Sequence, residues 1–205
     1  MDYAVFRALN SLAVHGGAAF DAAVRFLAND GVVVFPLALV VLWIVPGRSA
    51  HRMRTAAVVS AVAVLGALLL NQAWGHLVHE ARPFVAHRGQ VDQLIAHSAD
   101  NSFPSDHTAV GFGAAAGLWA ARRWLAATLG VWALLVGLAR VVAGLHYPID
   151  ILVGALDGIA AAALVLWLLR APLDRLTGFG ERVYGRLISP LRAVGAGSGR
   201  GRAGA

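Results

Sequence analysis

A histidine, an aspartate, an arginine and a second histidine stand at spacings that suit phosphoryl transfer. His146 and Asp150 are four residues apart, so on one helical face the carboxylate can accept a hydrogen bond from one ring nitrogen. The other nitrogen is then left unprotonated and nucleophilic. Arg140, in the same segment, has a planar guanidinium that matches phosphate oxygens. His107, from another segment, can act as a general acid on the leaving oxygen.

Two more residues are candidates for phosphate binding. Arg82 adds a second guanidinium, and two arginines in one cavity repel each other unless an anion lies between them. Ser105 follows Pro104 and precedes an apolar helix. Proline suits the first turn of a helix, and the free backbone amides at that end bind anions. These residues predict a phosphate site that combines two arginines with a helix N-terminus.

The composition of the chain is that of a membrane protein. Of its 205 residues, 59% are apolar and 14% charged, against roughly 45–50% and about 25% in soluble domains. A helix needs about 20 mostly apolar residues to cross a bilayer. Five stretches are candidates, at about residues 20–45, 55–77, 108–121, 124–145 and 149–169. The third is long enough only if its helix starts near Pro104 and includes Asp106 and His107, and ionisable residues in a membrane are candidates for function.

An N-terminal helix and a C-terminal tail flank these stretches. Apolar residues recur at helical spacing through residues 2–14, and His15 with the two glycines after it ends the pattern. We therefore expect an amphipathic helix that lies in the membrane interface. The predicted fold is all-α, a polytopic membrane bundle of about five transmembrane helices plus this interfacial helix, over residues 1–170. Residues 171–205 are expected to form a basic cytoplasmic tail with a disordered end over residues 195–205.

The arginines predict which side of the membrane each joint faces. All 17 basic residues are arginine, and the net charge is +6. Most lie in the joints after the first and third spans or follow the fifth span: Arg48, Arg52, Arg54, Arg122, Arg123, Arg170, Arg175, Arg182, Arg186 and Arg192. The positive-inside rule makes that side cytoplasmic. The joint over residues 79–103 and the turn over residues 146–148 then face outward, and they carry the candidate site. The charge is thus explained by topology, and no nucleic acid partner is expected.

The segment Pro104–His107 and the set Arg140, His146 and Asp150 resemble the second and third signature motifs of the type 2 phosphatidic acid phosphatase superfamily. Asp106, where many members have glycine, resembles the undecaprenyl-diphosphatase (bacitracin-resistance) branch. The N-terminal helix, followed by a long first span, also resembles that branch. The resemblance covers residues 1–170, and it implies a helical bundle, a phosphohistidine intermediate, and neither a metal nor another cofactor.

Carried over residue by residue, the resemblance implies that His146 is the nucleophile, Asp150 its orienting partner and His107 the general acid. It implies that the substrate phosphate is bound by Arg82, Ser105 and Arg140. The implied reaction is the hydrolysis of a polyprenyl (undecaprenyl) diphosphate to the monophosphate, in recycling of the cell-wall lipid carrier. The implied place is the bacterial plasma membrane, with the active site at the extracytoplasmic face. The expected partners are a lipid phosphate and the bilayer, and the sequence does not indicate an oligomeric state.

The chain departs from the family pattern at two positions. The lysine seven residues before the Arg-Pro pair is replaced by Gly75, and the chain contains no lysine. Either His76 or His79 can supply the missing charge when protonated, or Arg82 suffices alone. Ala139 stands where a serine often precedes the arginine of the third motif.

Other interpretations of the histidines remain open at this stage. His76, His79 and Glu80 could ligate a metal, although no larger carboxylate cluster completes a site. We expect the first two to be interfacial residues. His87 and His97 are expected to face solvent in the outer loop.

Several other functions are compatible with parts of the pattern. Within the same reaction class, the substrate could be phosphatidic acid, phosphatidylglycerol phosphate or a prenylated sugar phosphate. A non-catalytic lipid transporter or bacitracin-export component has no need for two histidines and an aspartate at these positions. Vanadate-dependent haloperoxidases share the anion-binding residues, but they are large soluble proteins. A serine protease that uses Ser105 and His146 lacks a supporting oxyanion motif.

Overall fold

The computed structural model describes the backbone of residues 2–45 and 49–197 and the side chains of residues 3–45 and 49–186. Throughout these residues the regular structure is helical, apart from one isolated bridge between Ala81 and Asn101. The helices are α1 (Asp2–Asn10), α2 (Leu12–His15), α3 (Gly17–Asn29), α4 (Val34–Ile44), α5 (Ala50–Leu77), α6 (Pro83–Ala86), α7 (Asp106–Gly117), α8 (Arg123–Val142), α9 (Pro148–Leu168) and α10 (Arg170–Gly197). The predicted all-α membrane bundle is confirmed.

The expected N-terminal helix is divided in two, because it breaks at Ser11 as well as near Gly16. Its inner face packs on the bundle, where Phe6 is completely buried. Asn10 ties the end of α1 to the outer loop and to α8, because its amide donates to Asp92 O and to Val142 O, both at 2.9 Å. The N-terminal helix therefore supports the loop over residues 87–105.

The first expected span is a bent pair of helices. α3 and α4 meet at 49° across a short 3₁₀ turn, Gly31–Val33. At the bend, a Cβ on Gly31 would come within 2.8 Å of the Val136 side chain, and Trp132 donates to Gly31 O at 2.8 Å. Close approach of α8 to the bend explains why glycine is required there.

Helix α7 forms the centre of the bundle and packs against α5, α8 and α9. A Cβ on Gly154 would lie 2.5 Å from Ser105 O, and one on Gly158 would lie 2.6 Å from Ala109 O. Glycines on α9 thus allow backbone-to-backbone approach, as small residues do in membrane bundles. This contact places the start of α7 beside the start of α9.

By length and composition, three of the described helices can cross a membrane alone, namely α5, α8 and α9, and the bent pair α3–α4 adds a fourth span. The third expected span is shorter than predicted. α7 has 12 residues, about 18 Å at 1.5 Å per residue, against a hydrocarbon core of about 30 Å. The helix begins at Asp106, two residues after Pro104. It therefore includes Asp106 and His107, as expected, but not Ser105.

The chain after α9 continues as α10, which packs on α5 and α9. Asp174 and Glu181 both contact the ring of His51, at 3.1 and 2.9 Å, and Arg54 pairs with Glu181 at 2.9 Å. The tail therefore docks on the end of the bundle that is rich in arginine. The expected disordered end lies mostly outside the described residues, as do Arg48 and the side chain of Arg192.

Candidate active site

A cavity of about 360 Å³ opens where α5 and α8 end and α7 and α9 begin. Most of its lining is polar or ionisable. The lining residues are Asn71, Gln72, Gly75, His76, Arg82, His97, Asp100, Asn101, Phe103, Pro104, Asp106, His107, Arg140 and His146. Four of the six residues predicted to form the site therefore face one cavity.

The turn before α9 fixes the ring of His146. Pro148 opens the helix, and Asp150, three residues after the cap residue Tyr147, turns its carboxylate back. Oδ2 of Asp150 accepts a hydrogen bond from Tyr147 N at 2.9 Å and faces His146 Nδ1 at 3.2 Å. A proton on Nδ1 is thereby favoured, which leaves the lone pair on Nε2. Burial lowers the pKa of His146 to about 4, so the ring is neutral at neutral pH.

Nε2 of His146 faces two guanidinium groups. Arg82 Nη1 and Arg140 Nη2 both lie 3.2 Å from this nitrogen. Their side chains are buried, with residue exposures of 6% and 3%. Two cations so close together in a poorly hydrated site favour binding of an anion.

Arg82 is held by partners on two segments. Its Nε donates to Asp100 Oδ1 at 2.6 Å, and its Nη1 donates to Leu145 O at 3.0 Å. Partial burial opposes ionisation of Asp100, but hydrogen bonds from Arg82 and Ser98 lower the pKa of that carboxyl. The outer loop therefore supplies a carboxylate that orients one of the two guanidinium groups.

Arg140 uses all of its terminal N–H groups within the site. Nη1 donates to Ala28 O at 2.8 Å and to His107 Nε2 at 3.2 Å. Nη2 faces His146 Nε2 at 3.2 Å and His97 Nε2 at 3.4 Å. Only its buried Nε has no partner among the described residues. Three imidazoles thus surround one guanidinium, and Ala28, at the bend of the first span, anchors it.

Ser105 and Asp150 are the two predicted site residues that do not line the cavity. Both are completely buried. The hydroxyl of Ser105 accepts a hydrogen bond from Thr108 at 3.0 Å, and its backbone N–H donates to Asp150 O at 3.1 Å. Ser105 therefore joins α7 to α9, while Asp150 contacts the ring of His146.

Ser102, a residue not predicted to belong to the site, is completely buried. Its hydroxyl donates to Asp150 Oδ2 at 2.6 Å and lies 3.5 Å from His146 Nδ1. The signal available in the sequence was a polar residue three positions before Ser105, in a segment rich in motif residues.

The prediction that His97 faces solvent is wrong. Its side chain is only 25% exposed, and it lines the cavity beside Arg140. The loop over residues 87–105 folds back over the bundle end, held by Asn10 and by the pairing of Asp100 with Arg82. Sequence periodicity contains no information on such a fold-back, because it depends on contacts between distant segments.

The position of the missing lysine also lies in the cavity wall. Gly75 and His76 line the cavity, whereas His79 does not. A Cβ on Gly75 would meet Asn101 Nδ2 at 3.6 Å, an ordinary contact distance. In the described part of the chain, no group of three or more His, Cys, Asp or Glu side chains is arranged to hold a metal ion. His76, His79 and Glu80 therefore do not form such a group.

Comparison with known proteins identifies the family. The family model of the PAP2 superfamily matches residues 55–173, more than half of the chain. The chain is 29% identical over 194 residues to undecaprenyl-diphosphatase BcrC of Bacillus subtilis, covering 93% of this chain and 95% of that one. It is 36% identical over 170 residues to Escherichia coli YbjG, a candidate undecaprenyl-diphosphatase by its name, covering 82% and 79%.

A solved structure gives the same result. The crystal structure of Aquifex aeolicus LpxE superposes with a TM-score of 0.68 at 27% identity, and the match covers 80% of this chain and 94% of that one. The helical fold, the cavity with its paired arginines and histidines, and the motifs at the start of α7 and α9 are thus found together in one chain. This protein belongs to the PAP2 superfamily and is a membrane enzyme that hydrolyses lipid phosphates.

Proposed function

We propose that the enzyme hydrolyses undecaprenyl diphosphate, a polyprenyl diphosphate, to the monophosphate in recycling of the cell-wall lipid carrier. Two relatives that match most of the chain are named for this activity. The observation that carries the chemistry is the position of His146 Nε2, 3.2 Å from both Arg82 and Arg140. A phosphoryl group bound between the two arginines would meet this nitrogen directly.

In the first step, His146 Nε2 attacks the terminal phosphorus. A P–N bond forms and the bond to the bridging oxygen breaks, so that its electron pair leaves with the lipid monophosphate. His107 donates a proton to that oxygen. Asp150 stabilises the positive charge on the ring of His146, and the two guanidinium groups bind the equatorial oxygens.

In the second step, water attacks the phosphohistidine. His107, now unprotonated, takes a proton from the water as the new P–O bond forms. The P–N bond breaks, its electron pair returns to Nε2 of His146, and inorganic phosphate leaves. The histidines end the cycle in their starting protonation states, so the net reaction consumes one water molecule.

Two further residues have supporting parts in this proposal. Ser102 holds the carboxylate of Asp150 through its 2.6 Å hydrogen bond, so it positions the nucleophile without touching the substrate. Ser105 binds phosphate only after its hydroxyl turns from Thr108 towards the cavity, because Ser105 is fully buried and its hydroxyl accepts a hydrogen bond from Thr108.

We also propose that the site faces the extracytoplasmic side of the bacterial plasma membrane. The cavity lies at the end of the bundle formed by the C-terminal ends of α5 and α8. The opposite ends of these helices carry Arg52, Arg54, Arg122 and Arg123. Positive charge at those ends supports a cytoplasmic location for them.

The test is phosphate release from purified protein in detergent, with excess chelator present. The panel contains undecaprenyl diphosphate, phosphatidic acid, phosphatidylglycerol phosphate and a prenylated sugar phosphate, and His146→Ala is the control. We expect undecaprenyl diphosphate to give the highest kcat/KM and the lipid monophosphate to accumulate. A higher kcat/KM for phosphatidylglycerol phosphate or phosphatidic acid would overturn the substrate assignment. Loss of activity in chelator that zinc or magnesium restores would overturn the metal-free mechanism.

A further inference from the structure

His97 lies next to the atom of Arg140 that faces the proposed nucleophile. Arg140 Nη2 is 3.4 Å from His97 Nε2 and 3.2 Å from His146 Nε2. A phosphate oxygen bound by Nη2 would therefore lie between the two imidazoles. The lone pairs of these two imidazoles face the N–H groups of Nη2 that a phosphate would also use.

The other side of the His97 ring is held by its own loop. Nδ1 lies 3.2 Å from Ser98 O and 3.8 Å from Asp100 Oδ1. Nδ1–H can donate to that carbonyl, so Nε2 points towards Arg140. Asp100 also accepts the 2.6 Å hydrogen bond from Arg82. One carboxylate thus lies beside both an imidazole and a guanidinium of the site.

We propose that His97, as an imidazolium, is a third cationic contact to the substrate phosphate and supplies the charge of the lysine that this chain lacks. The inference rests on the proposed binding of phosphate between Arg82 and Arg140. It names a binding residue outside the motifs that carry the family resemblance. The ligand class is a tetrahedral oxyanion, such as the terminal phosphate of a lipid diphosphate.

The surroundings of His97 make its charge depend on the ligand. Burial lowers the pKa of His97, and the charges of Arg82 and Arg140 lower it further, although Ser98 O and Asp100 oppose the shift. The other groups around Arg140 are the imidazoles of His107 and His146. A bound dianion reverses this balance, because it neutralises the arginines and accepts a hydrogen bond from Nε2–H. Oxyanion binding is then coupled to uptake of a proton.

The experiment measures binding of tungstate to the full-length protein by calorimetry in two buffers of different ionisation enthalpy. Tungstate is a tetrahedral dianion that does not change protonation between about pH 6 and 8, the range in which histidine titrates. The variants are His97→Gln, which keeps a hydrogen-bonding side chain but cannot be charged, and His97→Lys. The matched control is His76→Gln, which removes the cavity histidine next to the missing lysine.

We expect His76→Gln to take up as many protons per tungstate as the unmodified protein near neutral pH. His97→Gln should take up fewer, by as much as about one, because only the share of His107 remains, and should bind about tenfold to a hundredfold more weakly, as expected for loss of a charge-assisted hydrogen bond. His97→Lys should restore affinity without restoring the lost proton uptake. Unchanged proton uptake in His97→Gln, or its loss in His76→Gln, would overturn the inference.

These outcomes are separable from those of the proposed function. Tungstate binding does not require turnover, so the calorimetric result stands whatever lipid is hydrolysed. If undecaprenyl diphosphate is turned over through His146 while His97→Gln binds tungstate normally, only the role of His97 fails. If proton uptake depends on His97 but the diphosphate is not hydrolysed, only the substrate assignment fails.

Discussion

Ser102 donates a 2.6 Å hydrogen bond to Asp150 Oδ2, the same oxygen that faces the ring of His146 at 3.2 Å. Both Ser102 and Asp150 are completely buried. The serine is 48 residues away along the chain and lies in the loop before α7, so the bond joins that loop to the start of α9. The orientation of the proposed nucleophile is therefore set by two segments of the chain.

Replacing Ser102 by alanine should lower kcat more than it affects KM. The carboxylate of Asp150 keeps its bond to Tyr147 N but loses one partner, which costs about 1 kcal/mol or roughly fivefold in rate. Steady-state kinetics on the lipid substrate checks this, with the exposed Ser11→Ala as control. In Asp150→Asn the same serine substitution should have little further effect, because both act on one ring. A raised KM at unchanged kcat would show that Ser102 does not act through the nucleophile.

On the acid side of the pH profile, the rate of phosphoenzyme formation should fall only at strongly acidic pH. Burial lowers the pKa of His146 from 6.5 to about 4, and the unprotonated ring is the reactive form. Activity on the acid side should thus be lost as pH falls through about 4, well below the ordinary histidine range. Asp150 raises the pKa of His146, so Asp150→Asn should move this limb to still lower pH. Loss of activity on the acid side near pH 6.5 in the unmodified enzyme, and at the same pH in His107→Gln, would contradict the assignment of the acid limb to His146.

Adding the missing lysine should change substrate binding more than turnover. At Gly75 a Cβ meets only an ordinary contact at 3.6 Å, and the position lines the cavity. Gly75→Lys should lower KM by a few-fold at most, with kcat nearly unchanged, because Arg82, Arg140 and the other site groups already bind the phosphate. Gly75→Ala is the control, because it raises the helix propensity at this position without adding a charge. A large rise in kcat would show that the lost charge matters in the transition state.

Cysteine labelling tests the proposed orientation of the bundle. The chain has no cysteine, so a single Gln90→Cys or Arg182→Cys can be labelled without background. A membrane-impermeant maleimide added to intact cells should label the cysteine at position 90, in the loop over the cavity, and not the one at position 182, on α10. Permeabilised cells, in which both should react, provide the control. The reverse pattern in intact cells would place the cavity on the cytoplasmic side.

The sequence predicted the site well where chemistry itself fixes the spacing. His146 and Asp150 must lie one helical turn apart to form an oriented pair, and the structure has them 3.2 Å apart. Arg82, Arg140 and His107 line one cavity together with His146, as the topology predicted. The bounds of α9, Pro148–Leu168, lie within one residue of the predicted fifth span, residues 149–169.

The parts that could not be predicted depend on contacts between distant segments. The bend at Gly31 brings Ala28 O to Arg140, which no local pattern indicates. The burial of His97 depends on the loop that Asn10 and Arg82 hold. Helix α7 is shorter than expected, with 12 residues, and it is surrounded by α5, α8 and α9, an environment that local sequence patterns do not indicate.

Formation of a phosphoenzyme at His146 is the central claim, and rapid quench with a substrate labelled in its terminal phosphate tests it most directly. The unmodified enzyme should give a phosphoprotein that is stable in base and labile in acid, as a phosphohistidine is. His146→Ala should give none and should not turn over, while still binding tungstate through Arg82 and Arg140. Turnover near the normal rate by His146→Ala, or an acid-stable phosphoprotein in the unmodified enzyme, would contradict the account.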